Sequence, residues 1–288
     1  MIAWHVHVPR WVRYILYGAL VLGALHLILL IVFRPSHDRV WELGQEKLPH
    51  FLVSGDSVTI ENFRNFDWRE DKSADIRYET RDFDLSMIET VDVFISHFDD
   101  FEGLAHIFLS FGFSDGRHVV VSFETRREKG ETFSPWWGLL RQFETIYVVG
   151  SEEDIVGLRT DVRDERVYLY PTKASSGQVR ELFLRVVSDI NAIYEKPRMY
   201  NTLTHNCTNA LTRRVEDISS VEFPLTWKTL LPGYFDEVLY ELGIIATDAD
   251  FASVKGRHRL DNTAVSRKNS TYSADLRATH AAGSLNAL

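Results

Sequence analysis

The chain is poor in the residues on which several kinds of chemistry depend. It has one cysteine among 288 residues, which excludes an intramolecular disulfide and any cysteine-rich zinc or iron–sulfur site. The explanations left for Cys207 are packing, a free thiol, an intermolecular bridge or catalysis. No HExxH, GxSxG or Walker sequence occurs, and Gly112, Gly116 and Gly130 do not make a phosphate-binding fingerprint. No cofactor and no metal is expected. Positive charge is also short, with 32 Lys and Arg against 41 Asp and Glu and a net charge of −9. Diffuse negative charge disfavours nonspecific nucleic-acid binding, because phosphate contacts need clustered Lys and Arg. Apolar residues at 45% and charged residues at 25% argue against wholesale disorder and against a multi-span transporter. The length fits about one or two domains of roughly 150 residues, and no fixed-period repeat is present.

One long stretch has no Asp, Glu, Lys or Arg: Tyr14 to Phe33, YILYGALVLGALHLILLIVF. At 1.5 Å per residue it spans about 30 Å, the thickness of a bilayer's hydrocarbon core. Trp4, Trp11, Tyr14 and Tyr17 lie near its first end, as an interfacial aromatic belt does. The run exceeds the ~7–15 residues of a signal-peptide core, and the RPSHDR flank lacks a small-residue cleavage site, so it reads as an uncleaved anchor. The short leader with Arg10 and Arg13 is expected to stay in the cytoplasm. The expected organisation is a leader over 1–13, a transmembrane anchor over 14–33 and a polar, partly helical connector over 34–52. An extracytoplasmic domain over 53–250 follows, then a polar strap or tail over 251–288. This places a single-pass protein in a bacterial inner membrane with its domain in the periplasm.

Within the domain, Val58–Ile60 reads as a strand, with further strands or edges at Ser73–Thr80 and Met87–Phe94. His106–Phe113 (HIFLSFGF) and His118–Thr125 (HVVVSFET), separated by Ser114-Asp-Gly116, form the clearest hairpin signal. A three-residue loop with Gly116 in the left-handed region makes a type I turn with a G1 bulge. In that register Ser110 faces Val120 and His106 faces Glu124, whereas a two-residue turn sets His106 opposite Thr125. Ile146–Val149 and Arg166–Leu169 suggest two more strands. Ser176–Glu195 is helical, with Val179, Leu182, Phe183, Val186, Val187, Ile190 and Ile193 on one face and Pro197 as a stop. Further helices are expected from Asn206 toward Val215 and over Pro232–Leu242. The sum is an α+β fold.

Cys207 lies in YNTLTHNCTNA, with a helical pattern after it and Asn206 as an N-cap. Unpaired amides and the positive dipole end of a first helical turn favour a thiolate and can stabilise an oxyanion. A packed thiol more often sits within an apolar run. A cysteine nucleophile needs a base within hydrogen-bond reach, and His106, His118 and His205 are the candidates. His205 need not face the thiol, His118 sits at a turn, and His106 begins a strongly patterned strand. Each alone is more often structural. Glu124 can orient His106 or be a solvated strand-end charge. ETRREKGE at 124–131 is a charged turn whose Arg126, Arg127 and Lys129 can meet phospholipid head groups. PWWGLL at 135–140 is either core filling or a lipid-facing wedge.

Five segments occur in order: IENFRNFDWR (60–69), AHIFLSFGF (105–113), VVSFETRREKGE (120–131), LLRQFETIYVVG (139–150) and YNTLTHNCTNAL (200–211). Together they resemble the Lnb-type lipoprotein N-acyltransferase periplasmic-domain family over roughly Val58 to Leu242. That family is similar to permuted NlpC/P60-like, papain-related thiol enzymes, in which the histidine strand precedes the cysteine helix. The resemblance implies a permuted NlpC/P60-like domain with an antiparallel sheet and packed helices. It also implies Cys207 as nucleophile, His106 as base and Glu124 as a third polar member. The implied activity is transfer of an acyl chain from a phospholipid donor, through a thioester, to the amino-terminal cysteine of a diacylglyceryl lipoprotein. The alternatives are a thiol hydrolase (amidase, peptidase or lipid thioesterase) using the same residues and a noncatalytic envelope scaffold.

Overall fold

The computed structural model describes residues 9–247, 249–260 and 266–285, with side chains through Ala278. Trp4 lies outside the described residues. The anchor is one helix, α1 (Arg10–Val32), with no buried residue and a mean hydropathy of 2.6 over its most apolar window. Among the described residues it is the one helix long and apolar enough to cross a membrane.

The strands are β1 (His50–Ser54), β2 (Ser57–Arg64), β3 (Asp67–Trp68), β4 (Ala74–Asp75), β5 (Tyr78–Asp84), β6 (Ile88–His97), β7 (Ala105–Phe113), β8 (His118–Arg126), β9 (Glu144–Gly150) and β10 (Arg166–Pro171). The helices are α2 (Pro135–Leu139), α3 (Glu152–Gly157), α4 (Ser176–Glu195), α5 (Cys207–Glu216), α6 (Trp227–Leu230), α7 (Phe235–Glu241), α8 (Phe251–His258) and α9 (Tyr272–Leu285). One sheet runs β1-β2-β9-β8-β7-β6-β10, with β5 also on β2. The expected antiparallel sheet is mixed: β2 meets β9 in parallel at Arg64 and Gly150. A side chain at Gly150 would run into the Arg64 carbonyl, its Cβ 2.3 Å away, so only glycine lets the two backbones approach.

Alternation along the strands divides the apolar side chains between two cores. Ile107, Leu109, Phe111, Val119, Val121 and Phe123 face the larger core with Val179, Phe183, Val187 and Phe235. Phe94, Phe108, Val120, Ile146 and Leu169 face a smaller one with Ile155, Val156, Leu260, Tyr272 and Leu276. The buried residues of α4 are the seven of its predicted face, and Ser175 with Gln178 forms a capping box at its start. In the β7–β8 hairpin Ser110 pairs with Val120, and Gly116 sits at φ 82°. This is the three-residue-loop register.

One expectation fails locally. The connector is not helical; it is an extended strap. Its Trp41 bridges Glu128, its Arg39 pairs with Glu128, and the Ser36 amide donates to Glu144 at 2.7 Å. Sequence alternation cannot foresee this, because the strap's partners lie just past β8 and on β9, far along the chain. The C-terminal segment, read as a strap or a tail, packs on the domain in its described residues. It carries α8 and α9, buries Val254, Leu260, Tyr272 and Leu276, and sends Arg277 to Asp92 (2.6 Å) and Glu152 (2.7 Å).

A buried ion pair ties the start of the domain to its centre. Arg64 and Asp154 are 2.9 Å apart with side chains 6% and 0% exposed. Asp154 also accepts from the Phe66 amide and the Trp68 indole. Removing one partner leaves the other charged and buried, a loss of about 3–5 kcal/mol. Asp154→Asn is therefore expected to lower unfolding free energy by that order, measured by urea denaturation; an unchanged midpoint would show that Arg64 finds other partners.

Candidate active site

At the start of β7 the imidazole of His106 lies on the smaller-core face, stacked over Phe108 at 5.8 Å between centroids. Its Nε2 is 2.7 Å from the Ser122 hydroxyl, and that hydroxyl donates to Glu124 Oε1 at 2.8 Å. Arg159 donates to the same carboxylate oxygen at 2.9 Å, while Gln45 reaches Oε2 at 3.4 Å. These contacts assign the tautomer. Ser122 has one proton, and the carboxylate takes it, so Ser122 accepts from His106 Nε2–H. Nδ1 is left as the lone-pair nitrogen, with no hydrogen-bond partner among the described residues, on a side chain 16% exposed. Burial and then the Arg159 charge push His106 down to about 3 against the opposing pull of Glu124. Burial works against the Glu124 charge, but Arg159 first, with His106, Arg64 and Arg163, holds its carboxyl well below the usual carboxylate range.

Cys207 opens α5, and the Asn206 side chain caps that helix by accepting from the Asn209 amide at 2.8 Å. Both features were legible in NTLTHNCTNA. The β7–β8 pairing ends at Phe108 and Ser122. Just past it the Ile107 N–H faces the Cys207 sulfur, as does the Thr208 N–H. The amides favour a thiolate, but burial outweighs them and pushes the thiol above its ordinary value. The helix start expected to favour a thiolate is present, yet the sulfur is packed against the larger core. His106 thus points to the smaller-core face of β7 while Cys207 packs on the larger-core side beside Ile107, and no hydrogen bond joins imidazole to thiol.

The Lnb N-terminal periplasmic domain family matches residues 74–233, more than half of the chain. The chain belongs to this family. No curated protein and no solved structure matches it. With α1 ahead of the Lnb-type domain, this is a single-pass membrane protein with a periplasmic domain. The matched span contains His106, Ser122, Glu124, Arg159 and Cys207; Gln45 reaches the same cluster from the strap.

The other candidates in the Lnb-type domain lie elsewhere or point elsewhere. His118 is at the turn end of β8, where its Nδ1 meets the Gly116 carbonyl at 3.1 Å. His205 packs edge-on to Phe123, 5.3 Å between centroids, with its buried Nε2 unpartnered. Arg126 is not a head-group ligand: it is 2% exposed, lies 4.0 Å from the Trp41 ring centroid and donates to the Gln45 and Glu46 carbonyls. Ser122 and Arg159 are members that sequence reasoning missed. Ser122 was within reach, since it shares a strand face with Glu124. Arg159 carries no local signal, because it comes from a π-helical turn (Leu158–Val162) whose placement depends on tertiary packing. Among the described residues no cluster of metal-ligating side chains occurs. Two surface depressions, of about 450 Å³ beside Tyr78 and about 600 Å³ beside Gln178, lie away from Cys207.

The neutral imidazole has a stability consequence. His106 is held at about 3 in the folded chain against 6.5 ordinarily, so the unfolded state binds the extra proton between those values. Its contribution is complete above pH 6.5 and is lost as pH falls toward 3. His106→Gln is expected to flatten the decline of unfolding free energy across that window, measured by denaturant titration at stepped pH. Equal slopes in the two proteins would show that His106 titrates normally.

Proposed function

We propose that this chain is a membrane-anchored cysteine acyltransferase of permuted NlpC/P60-like type, acting on the amino-terminal cysteine of diacylglyceryl lipoproteins with phospholipid as acyl donor. The observation that supports the reading best is the hydrogen-bonded line Glu124–Ser122–His106. It leaves Nδ1 as a free base on the strand whose next amide, Ile107 N–H, faces the Cys207 sulfur. Family membership and the membrane anchor supply the setting.

In the proposed reaction the imidazole reaches across the opened end of the β7–β8 hairpin, the sulfur attacks the ester carbonyl of the phospholipid, and the thiol proton passes to His106 Nδ1. The amide at the start of α5 stabilises the oxyanion. The C–O bond breaks, and the lysophospholipid oxygen leaves with the proton from His106. The lipoprotein's α-amino nitrogen then attacks the thioester, loses a proton to His106, and releases the Cys207 thiol as the amide forms. Because thiol and imidazole are both neutral at rest, deprotonation accompanies attack. Glu124, through Ser122, fixes the ring and compensates the imidazolium that forms.

Incubation with phospholipid should load an acyl chain onto Cys207 through a bond cleaved by neutral hydroxylamine, read by intact-protein mass spectrometry. Cys207→Ser and Cys207→Ala should abolish transfer with the fold intact. His106→Ala should slow it about 10²–10⁴-fold as expected for a lost general base, and Glu124→Gln should do less. Full transfer by folded Cys207→Ala rules out the mechanism, and a thioester discharged only to water makes the protein a hydrolase instead.

A further inference from the structure

Four segments at the Cys207 end of the sheet carry large apolar side chains that no described residue covers. Trp136 and Trp137 on α2 are 76% and 52% exposed, and Leu203, just before α5, is 56% exposed. Phe101, between β6 and β7, is 53% exposed; Leu225 and Trp227 are 87% and 57% exposed. The segments are tied into one rim. Thr202 donates to the Pro135 carbonyl at 2.7 Å, joining the Leu203 loop to α2. Phe98 packs edge-on to Phe133 at 6.3 Å, joining the β6–β7 loop to the segment before α2. The Gly233 amide donates to the Gly103 carbonyl, joining the segment after Trp227 to that same loop.

The anchor fixes which way this rim faces. α1 ends at Val32, and Ser36 is already bonded to Glu144, the first residue of β9 and five residues beyond α2. Four residue steps reach at most about 14 Å. The polar layer on each side of a bilayer's hydrocarbon core is roughly 5–8 Å thick. The start of β9 is therefore held within a short distance of the membrane surface, and the rim lies at that end of the sheet. Tryptophan favours the membrane–water interface, whereas a net charge of −9 gives no general attraction to anionic lipid.

We propose that this rim is a bilayer-docking surface: Trp136, Trp137, Leu203, Leu225 and Trp227 seat in the head-group and upper acyl region of the membrane that holds α1. The proposal deepens the acyltransferase reading by naming where phospholipid meets the Cys207 end, while resting on exposure and tether length and not on thiol chemistry.

The test uses the full chain with Trp4→Phe and Trp11→Phe, so that Trp41, Trp68, Trp136, Trp137 and Trp227 remain. It is reconstituted in phosphatidylcholine bilayers brominated on the upper acyl chain. Trp41 and Trp68 are 7% and 5% exposed, so quenching is expected to come from the rim. Fluorescence should fall relative to unbrominated lipid, be insensitive to salt, and lose that difference when Trp136, Trp137 and Trp227 are changed to Ser. Equal fluorescence in the two lipids overturns the proposal with no recourse to the triple variant's folding. Equal fluorescence together with a dimer by mass assigns the rim to a second copy and overturns it as well. The readout needs no turnover, so it stands whether or not Cys207 is acylated.

Discussion

The site depends on the point where β7 and β8 stop pairing. Their ladder is regular from the Gly116 turn to Phe108 and Ser122. Beyond it β8 continues only with β9, and β7 only with β6. Continued pairing would occupy the Ile107 N–H; opening frees it to face the Cys207 sulfur. Ser122, in the last pair, and Glu124, just past it, share the face of His106 on the strand opposite. A one-residue slip would reverse the facing of every side chain on β8, sending Ser122 and Glu124 into the larger core. The hairpin register is thus a condition of the hydrogen-bonded line as well as of the packing.

That line is supported by buried charge. Glu124 stays anionic because Arg159, Arg64 and Arg163 surround it. Arg159 is held in turn by the Ile155 carbonyl at 2.7 Å and by the face of Phe108, 4.6 Å from the ring centroid. Arg64 is committed to Asp154. On the same side of the sheet, Arg277 of α9 neutralises Asp92 and Glu152. Such pairs contribute little net stability over apolar residues of equal volume, because desolvation offsets the Coulombic gain. Their effect here is to fix positions: Glu124 is held by Arg159, Ser122 and Gln45, so the hydroxyl that His106 meets has its proton already committed.

Much of this was legible in the sequence where a period or a turn residue carried the information. The face of α4, the Asn206 cap and the hairpin register all follow from residues within about twenty positions of one another. What could not be read came from contacts between distant segments. The strap from Ser36 to Trp41 is extended because Glu128, just past β8, and Glu144 on β9 give it partners. Arg126, in a run of charges that looks solvated, is buried because Trp41 and the carbonyls of residues 45 and 46 receive it. Arg159 joins the site through a π-helical turn, and the polar tail packs because Tyr272 and Leu276 find the smaller core. The raised value of the thiol has a related origin: a helix start is a local feature, and the burial that opposes it is not.

In the proposed reaction the chemistry at Cys207 turns on that competition. Amides at the start of α5 and at Ile107 favour the sulfur anion, while the core behind it disfavours charge. His106 is subject to the same opposition, with burial and Arg159 against Glu124. Both groups therefore rest neutral, and an ion pair would have to form against desolvation at two atoms. An ester carbonyl changes this balance, because negative charge passes from sulfur to the carbonyl oxygen as the bond forms and need not reside on the buried thiol. Under the proposed reaction, the neutral resting pair keeps the sulfur unreactive toward water-borne electrophiles. Deprotonation would then become favourable only with an acyl donor in place, which suits a nucleophile whose substrate is delivered from the membrane side of the domain.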